Sequence, residues 1–297
     1  MLNIYYYLCV RFNKLKLQSF NKMKYAKGIV SWLILPLLLM ASSCKTQYVV
    51  NGPQGKIATK IRLPEGFDPQ HDSVEMVVLM HGIFSSKAYP PIPRIAKELR
   101  KKGIATITMD FGGHGKSDGK KKRMTIAKEI QEAKNVYEYV RNLPYVTKVS
   151  LLGHSQGGVI ASMLAGELSL EGRTPEKLIL LAPGAVIKEA CRGGHFFGKR
   201  FDPKNPPEHI KCFGIFKLGR EYLTTTQQLD IYGTSAHYQG PVCLIHGTKD
   251  RIVPLWCSKK YDSIYQQSQL HIIEGETHTM NRKLNETTDI IARFINE

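Results

Sequence analysis

No stretch of this sequence is long and apolar enough to span a bilayer. The longest apolar run, Ile29–Met40 (IVSWLILPLLLM), holds twelve residues and contains Pro36, against the roughly 20 that a spanning helix needs. Acidic residues are absent from residues 1–43, which carry six Lys/Arg (Arg11, Lys14, Lys16, Lys22, Lys24 and Lys27). No Cys or His spacing forms a metal-ligand pattern, so no metal is expected. No nucleic-acid motif accompanies the net charge of +17, so nucleic acid is not an expected partner. Internal repeats and low-complexity tracts are also lacking, which excludes solenoids and propellers. What is present is ordinary globular composition. The chain of 297 residues is 42% hydrophobic and 23% charged, enough to bury a large core in a single domain.

The short apolar run fits the h-region of a signal peptide, preceded by Lys24 and Lys27 and followed by small residues ending in Cys44 (ASSC). That ending resembles a bacterial lipobox, in which the cysteine becomes the lipidated first residue of the mature protein. Residues 1–43 are therefore expected to be a lipoprotein signal peptide, with Met23 an alternative start, and residues 44–55 a polar linker. The expected location is the cell envelope, lipid-anchored on the periplasmic side of the outer membrane, since position 45 is Lys rather than an acid. Outside the cytoplasm disulfides are permitted. Cys191 and Cys212 share one irregular stretch, and their pairing is left open. The basic runs Arg100–Lys102 and Lys120–Arg123 read as solvated surface, and anionic lipid or polysaccharide are partners that such runs suit.

From residue 56 onward short apolar runs alternate with helical patterns. Strands are predicted at Val74–Met80, Ile104–Met109, Lys148–Leu152, Leu178–Leu181, Val242–His246 and Leu270–Ile273. Helices are predicted at Arg94–Lys102, Thr125–Arg141, Val159–Leu168, Ser258–Gln266 and Glu286–Ile295. In Thr125–Arg141 the apolar residues at 126, 130, 133, 137 and 140 make one helical face. Such alternation implies an α/β fold, a mostly parallel sheet covered on both faces. Residues 184–239 break the rhythm with many aromatics, and read as an inserted lid over the strand ends.

The segment LLGHSQGGV (Leu151–Val159) places Ser155 in a G-x-S-x-G motif between a strand and a helix. Glycines at 153 and 157 remove the Cβ atoms that would crowd a sharp strand–helix corner, and the hydroxyl is presented at a helix N-terminus. A serine nucleophile needs a base, and the base an orienting carboxylate. Asp250 follows the strand in CLIHGTKD, and His278 follows the last strand in IIEGETH. Each lies past a strand's carboxyl end, in the order Ser, Asp, His that such folds use. Asp262 and Glu274 are the rival acids, the first within a helix and the second too near His278 in sequence. His154 and His246 read as structural neighbours. The oxyanion donors are expected to be the backbone N–H groups of Gln156 and Ile83, with Phe84 the fallback for Ile83.

The segments LMHGIFSS, DFGGHGKSDG, LLGHSQGGVIASMLAG, LILLAPGA, PVCLIHGTKDRIVP and IIEGETH resemble the bacterial cinnamoyl or feruloyl esterases of the α/β-hydrolase family. The likeness runs from about Lys56 to Glu297 and includes the lid phrase FKLGREYLTTTQQLDIY. It implies an α/β-hydrolase fold with an inserted lid and a cofactor-free serine esterase with the triad Ser155, Asp250 and His278. It also implies that Tyr222, in the lid, contacts the substrate's phenolic hydroxyl. Ala190 and Phe197 stand where family members hold that hydroxyl with polar residues, and Thr279-Met280 replaces the pair that usually follows the histidine. The expected function is hydrolysis of carboxylic esters through an acyl-enzyme, on a small ester or ester-decorated polysaccharide. A monoacylglycerol lipase-like enzyme or general carboxylesterase is the alternative. A serine peptidase or a non-catalytic binding protein on the same fold stand behind it.

Overall fold

The computed structural model describes residues 47–297. The expected signal segment and Cys44 lie outside the described residues. The chain begins with β1 (Gln47–Gly52) and β2 (Gly55–Arg62), then β3 (Val74–Met80), α1 (Ile92–Lys101), β4 (Ala105–Met109), α2 (Ile126–Arg141), β5 (Val146–His154), α3 (Gln156–Leu170) and β6 (Leu178–Leu181). An inserted segment follows, with α4 (Ile187–Arg192), the hairpins β7 (His195–Phe196)/β8 (Lys199–Arg200) and β9 (His209–Cys212)/β10 (Phe216–Gly219), and the helices α5 (Arg220–Thr226) and α6 (Ile231–Ser235). The chain closes with β11 (Val242–Gly247), α7 (Trp256–Ile264), β12 (Ser268–Ile273) and α8 (Leu284–Asn296).

Eight strands form one sheet in the order β1-β2-β4-β3-β5-β6-β11-β12. All neighbours from β4 to β12 are parallel, whereas β1 and β2 run antiparallel at one edge. The expected 44–55 linker is thus corrected: from Gln47 it is a paired strand. Tyr48, Val49 and Val50 favour extended backbone. The Gly52↔Gly55 pairing leaves Pro53-Gln54 as a two-residue turn, and Gly55 sits at φ +117°, open to glycine alone.

The central strands β3, β4, β6 and β11 are buried on both faces, which is why they read as continuous apolar runs. Met76, Val78 and Met80 of β3 face one core with Ile130, Val136 and Leu164. Val77 and Leu79 face the other with Ile95, Leu99, Ile291 and Phe294. Full burial of each such side chain contributes about 1.5–3 kcal/mol. α2 starts where Thr125 Oγ1 accepts the Lys128 N–H at 3.2 Å, satisfying a donor that the helix leaves free. α3 is buried on nearly every side because the insertion covers it. A Cβ at Gly166 would collide with the Thr234 carbonyl oxygen of α6.

Two features of the insertion go beyond the sequence reading. Cys191 and Cys212, whose pairing the sequence left open, are free and buried. Burial pushes their thiols up to about 12 and about 11, so they remain protonated and inert. The insertion is also no irregular loop, since its short hairpins and helices pack against the core through Phe196, Ile210, Leu218 and Leu223.

Candidate active site

β3, β5, β11 and β12 end on the same edge of the sheet, where open α/β sheets place ligands. The corner between β5 and α3 is Ser155, at φ 58° and ψ −122°. A non-glycine residue there carries about 1–3 kcal/mol of strain, so the surroundings must enforce it. They do so chiefly through three short backbone bonds. Ser155 N–H donates to Leu181 O at 2.9 Å, and its carbonyl accepts from Gly158 and Gly184 N–H, each at 2.9 Å. The flanking glycines are required by close approach. A Cβ at Gly153 would strike the Gly157 carbonyl, and one at Gly157 would strike the carbonyls of Met80 and His81. Gly82, after β3, has Ser155 Cβ 3.0 Å from where its own Cβ would be. The β5–α3 corner and the end of β3 are therefore in contact.

Asp250 and His278 meet as the sequence predicts. His278 Nδ1 donates to Asp250 Oδ2 at 2.7 Å, and the other carboxylate oxygen accepts from Ile252 N–H at 2.8 Å and Val253 N–H at 2.9 Å. Burial opposes ionisation of Asp250, but the His278 contact and these backbone donors outweigh it and hold the carboxyl below its usual range. With Nδ1 donating, Nε2 of neutral His278 carries the lone pair. His154, next to Ser155, fixes the histidine's main chain, its Nε2–H donating to His278 O at 2.7 Å. Burial lowers His154 to about 3, so it stays neutral and cannot compete as a charged group. No hydrogen bond joins Ser155 Oγ to His278 in this structure. The rival acids fall away: Asp262 sits on α7 and accepts from Ser268 Oγ at 2.6 Å, and Glu274 is exposed.

A cavity of about 170 Å³ opens against Ser155. Its wall is apolar, from Val186, Ile187, Ala190, Phe196, Phe197 and Ile252, with His195 the one ionisable side chain among its lining residues. Ile83 and Gln156 line it as well. Gln156 is the first residue of α3, so its N–H has no acceptor one turn back. Phe84, the fallback donor, has φ 57° and stacks on Phe216 at 4.8 Å.

Tyr222 requires correction as a substrate contact. It is wholly buried and absent from the cavity wall, and its hydroxyl donates to Gln156 Oε1 at 2.7 Å. Gln156 Nε2 donates in turn to Glu129 Oε2 at 2.6 Å. The lid helix α5 is thereby tied through Gln156 to α2. Sequence reasoning missed this chain, although Glu129 and Glu132 fall between the apolar positions of α2 and are buried there. Burial raises Glu129 well above the usual carboxyl range, with Glu132 adding to the shift.

Three other supports were also missed. Asp110 accepts from the Lys87 ammonium and, at 2.6 Å, from Lys87 N–H, in an ion pair buried beneath the loop after β3. His81 joins the same two loops, with Nδ1 donating to Gly82 O at 2.7 Å and Nε2 accepting from Phe111 N–H at 3.1 Å. Glu276 ties down the turns around His278, accepting from Thr277 N–H at 2.6 Å and Lys283 N–H at 2.5 Å.

Residues 71–202 match the family described as serine aminopeptidase, S33. Est1E from Butyrivibrio proteoclasticus, solved with ferulic acid bound, superposes with a TM-score of 0.78 at 28% identity, covering 84% of this chain and 98% of that one. The chain has the α/β-hydrolase fold. The monoacylglycerol lipase of Paleococcus ferrophilus shares the fold, with a TM-score of 0.60 at 18% identity over 80% of this chain and 98% of the lipase. Lysophosphatidylserine lipase ABHD12 of Danio rerio is 25% identical over 213 residues, 70% of this chain and 52% of the relative. The chain spans about half the length of the curated relatives it matches.

Proposed function

We propose that this protein cleaves carboxylic esters carrying an apolar acyl group, with Ser155 as nucleophile. Ser155 Oγ attacks the ester carbonyl while His278 Nε2 takes its proton. Asp250 holds the imidazole in the Nδ1–H tautomer and stabilises the cation that forms. The Gln156 and Ile83 N–H groups receive the oxyanion. His278 then returns the proton to the leaving alcohol, and water releases the acyl group by the same steps in reverse. The observation that carries this reading is the forced backbone of Ser155 at the wall of an apolar cavity, beside the hydrogen-bonded Asp250–His278 pair.

The likeness to Est1E supports a feruloyl or cinnamoyl acyl group. The wall argues for the less polar members of that class. Ala190 and Phe197 line it without a polar atom on their side chains, and an unpaired phenolic hydroxyl costs about 1–3 kcal/mol. A second reading, hydrolysis of acylglycerols or lysophospholipids, is supported by the same apolar wall and by the lipase relatives. A panel of methyl cinnamate, methyl ferulate, a long-chain monoacylglycerol and an aminoacyl p-nitroanilide separates the readings by kcat/KM. Faster turnover of methyl cinnamate than of methyl ferulate is expected. Preference for the monoacylglycerol selects the lipase, and preference for the anilide overturns the ester assignment. We further propose that the enzyme sits in the cell envelope, anchored through Cys44.

A further inference from the structure

We propose that the tip of the β9–β10 hairpin dips into an anionic lipid surface and seats the mouth of the cavity against it. The tip is Phe213-Gly214-Ile215. Phe213 is 62% exposed and Ile215 is 75% exposed. Phe213 and Gly214 both have positive φ, 51° and 74°, which bends the chain sharply at the tip. Single exposed apolar residues are common and need no explanation. These two share one protruding turn, and that turn is continuous with the cavity. The Phe213 ring lies 5.0 Å from Phe197, which lines the cavity. Phe197 lies 6.1 Å from Phe84, which stacks on Phe216 directly after the turn.

Charge decides what covers the tip. Lys211 and Lys217 flank it and are exposed. From Arg192 to Arg220 there are seven Lys/Arg against two acids, and one of those acids, Glu208, already pairs with Lys122 at 3.7 Å. The neighbouring run Lys120–Arg123 adds four more cations, with Lys121 Nζ over the Phe216 ring at 4.6 Å. Apolar side chains framed by basic ones suit the boundary between acyl chains and anionic headgroups. An acidic polysaccharide would engage the cations but leave Phe213 and Ile215 in water. An ester delivered from a lipid surface would meet Ile252 on the cavity wall, itself 52% exposed.

Partitioning is read at the tip itself, so that the N-terminal segment does not confound it. Phe213→Trp in the full chain is titrated with brominated phosphatidylglycerol vesicles and with brominated phosphatidylcholine vesicles. The wild-type chain serves as baseline, and Leu170→Trp, at the far end of α3 from Ser155, as control. Emission from position 213 should shift to the blue and be quenched by the anionic vesicles only, with position 170 unaffected. Adding Lys211→Gln and Lys217→Gln should weaken that partitioning about thirtyfold. Absence of quenching at 213, or equal quenching at 170, overturns the proposal. So does a blue shift produced without vesicles by soluble polygalacturonate, or by raising protein concentration, which would assign the tip to polysaccharide or to a second copy of the chain. No turnover is measured, so failure here leaves the proposed ester chemistry standing.

Discussion

Glu129, Gln156 and Tyr222 form a buried line of hydrogen bonds behind Ser155, and its links have measurable consequences. Tyr222→Phe removes the donor to Gln156 Oε1 and should cost about 1–3 kcal/mol, because a buried acceptor is left unsatisfied. Urea denaturation measures this, and an unchanged midpoint contradicts the assignment. Glu132 carries a second test. Burial raises its carboxyl from 4.5 to about 7, so the folded chain keeps a proton that the unfolded chain has released. The stability this contributes is complete below the unfolded value and is lost as pH rises through about 7. Glu129 is displaced in the same direction by the same burial. Glu132→Gln keeps an acceptor for Gly112 N–H, now donating to Glu132 Oε2 at 2.8 Å. Its urea midpoint should therefore fall less than that of the wild type between about pH 5 and about pH 8, and an equal fall refutes the shift. Asp250→Asn should lower kcat by about 10⁴ with the fold intact, since the imidazole loses its tautomer. A loss below about tenfold would remove Asp250 from the mechanism.

The loop after β3 depends on the Lys87–Asp110 pair, and breaking one side of it strands a buried charge. Asp110→Ala should cost about 3–5 kcal/mol, whereas the double variant with Lys87→Met should recover much of that loss. Thermal unfolding of the two variants checks this, and equal destabilisation contradicts it. Why this pair was invisible in the sequence is instructive. Lys87 and Asp110 belong to loops joined only by folding, and neither carries a local signature. The parallel strands, in contrast, were legible, because burial on both faces leaves apolar runs such as VEMVVLM. Outside the insertion, the helices other than the wholly covered α3 were legible from one apolar face, with starts displaced by two residues where Ile92 and Trp256 begin turns that capping did not announce; the short helices of the insertion were not read. Edge strand β1 was read as linker because half its residues are polar, as one expects of a strand paired on one side only. Ser155, Asp250 and His278 were legible because elbow glycines and strand ends mark them in order. Tyr222 was misplaced because a resemblance fixes a residue's position in the chain, while its burial is set by the lid's own packing.

Over the whole chain, the sheet edge, the insertion between β6 and β11 and the apolar cavity converge on one place, and the proposed anchor would hold that place near a membrane. Cys44→Ala should leave the protein without lipid and shift it from the membrane to the soluble fraction or leave it unprocessed. A free thiol at Cys44 in membrane-extracted native protein, found by mass spectrometry, would contradict the anchor. The central claim is that Ser155 is a nucleophile activated by its surroundings, and reaction with a fluorophosphonate tests it most directly, because this reagent needs an activated serine and no particular acyl group. Peptide mapping after labelling should find one adduct, on Ser155, with labelling lost in Ser155→Ala and strongly slowed in His278→Ala. Absence of an adduct on Ser155 in the folded wild-type protein, or labelling that survives Ser155→Ala, would contradict the account.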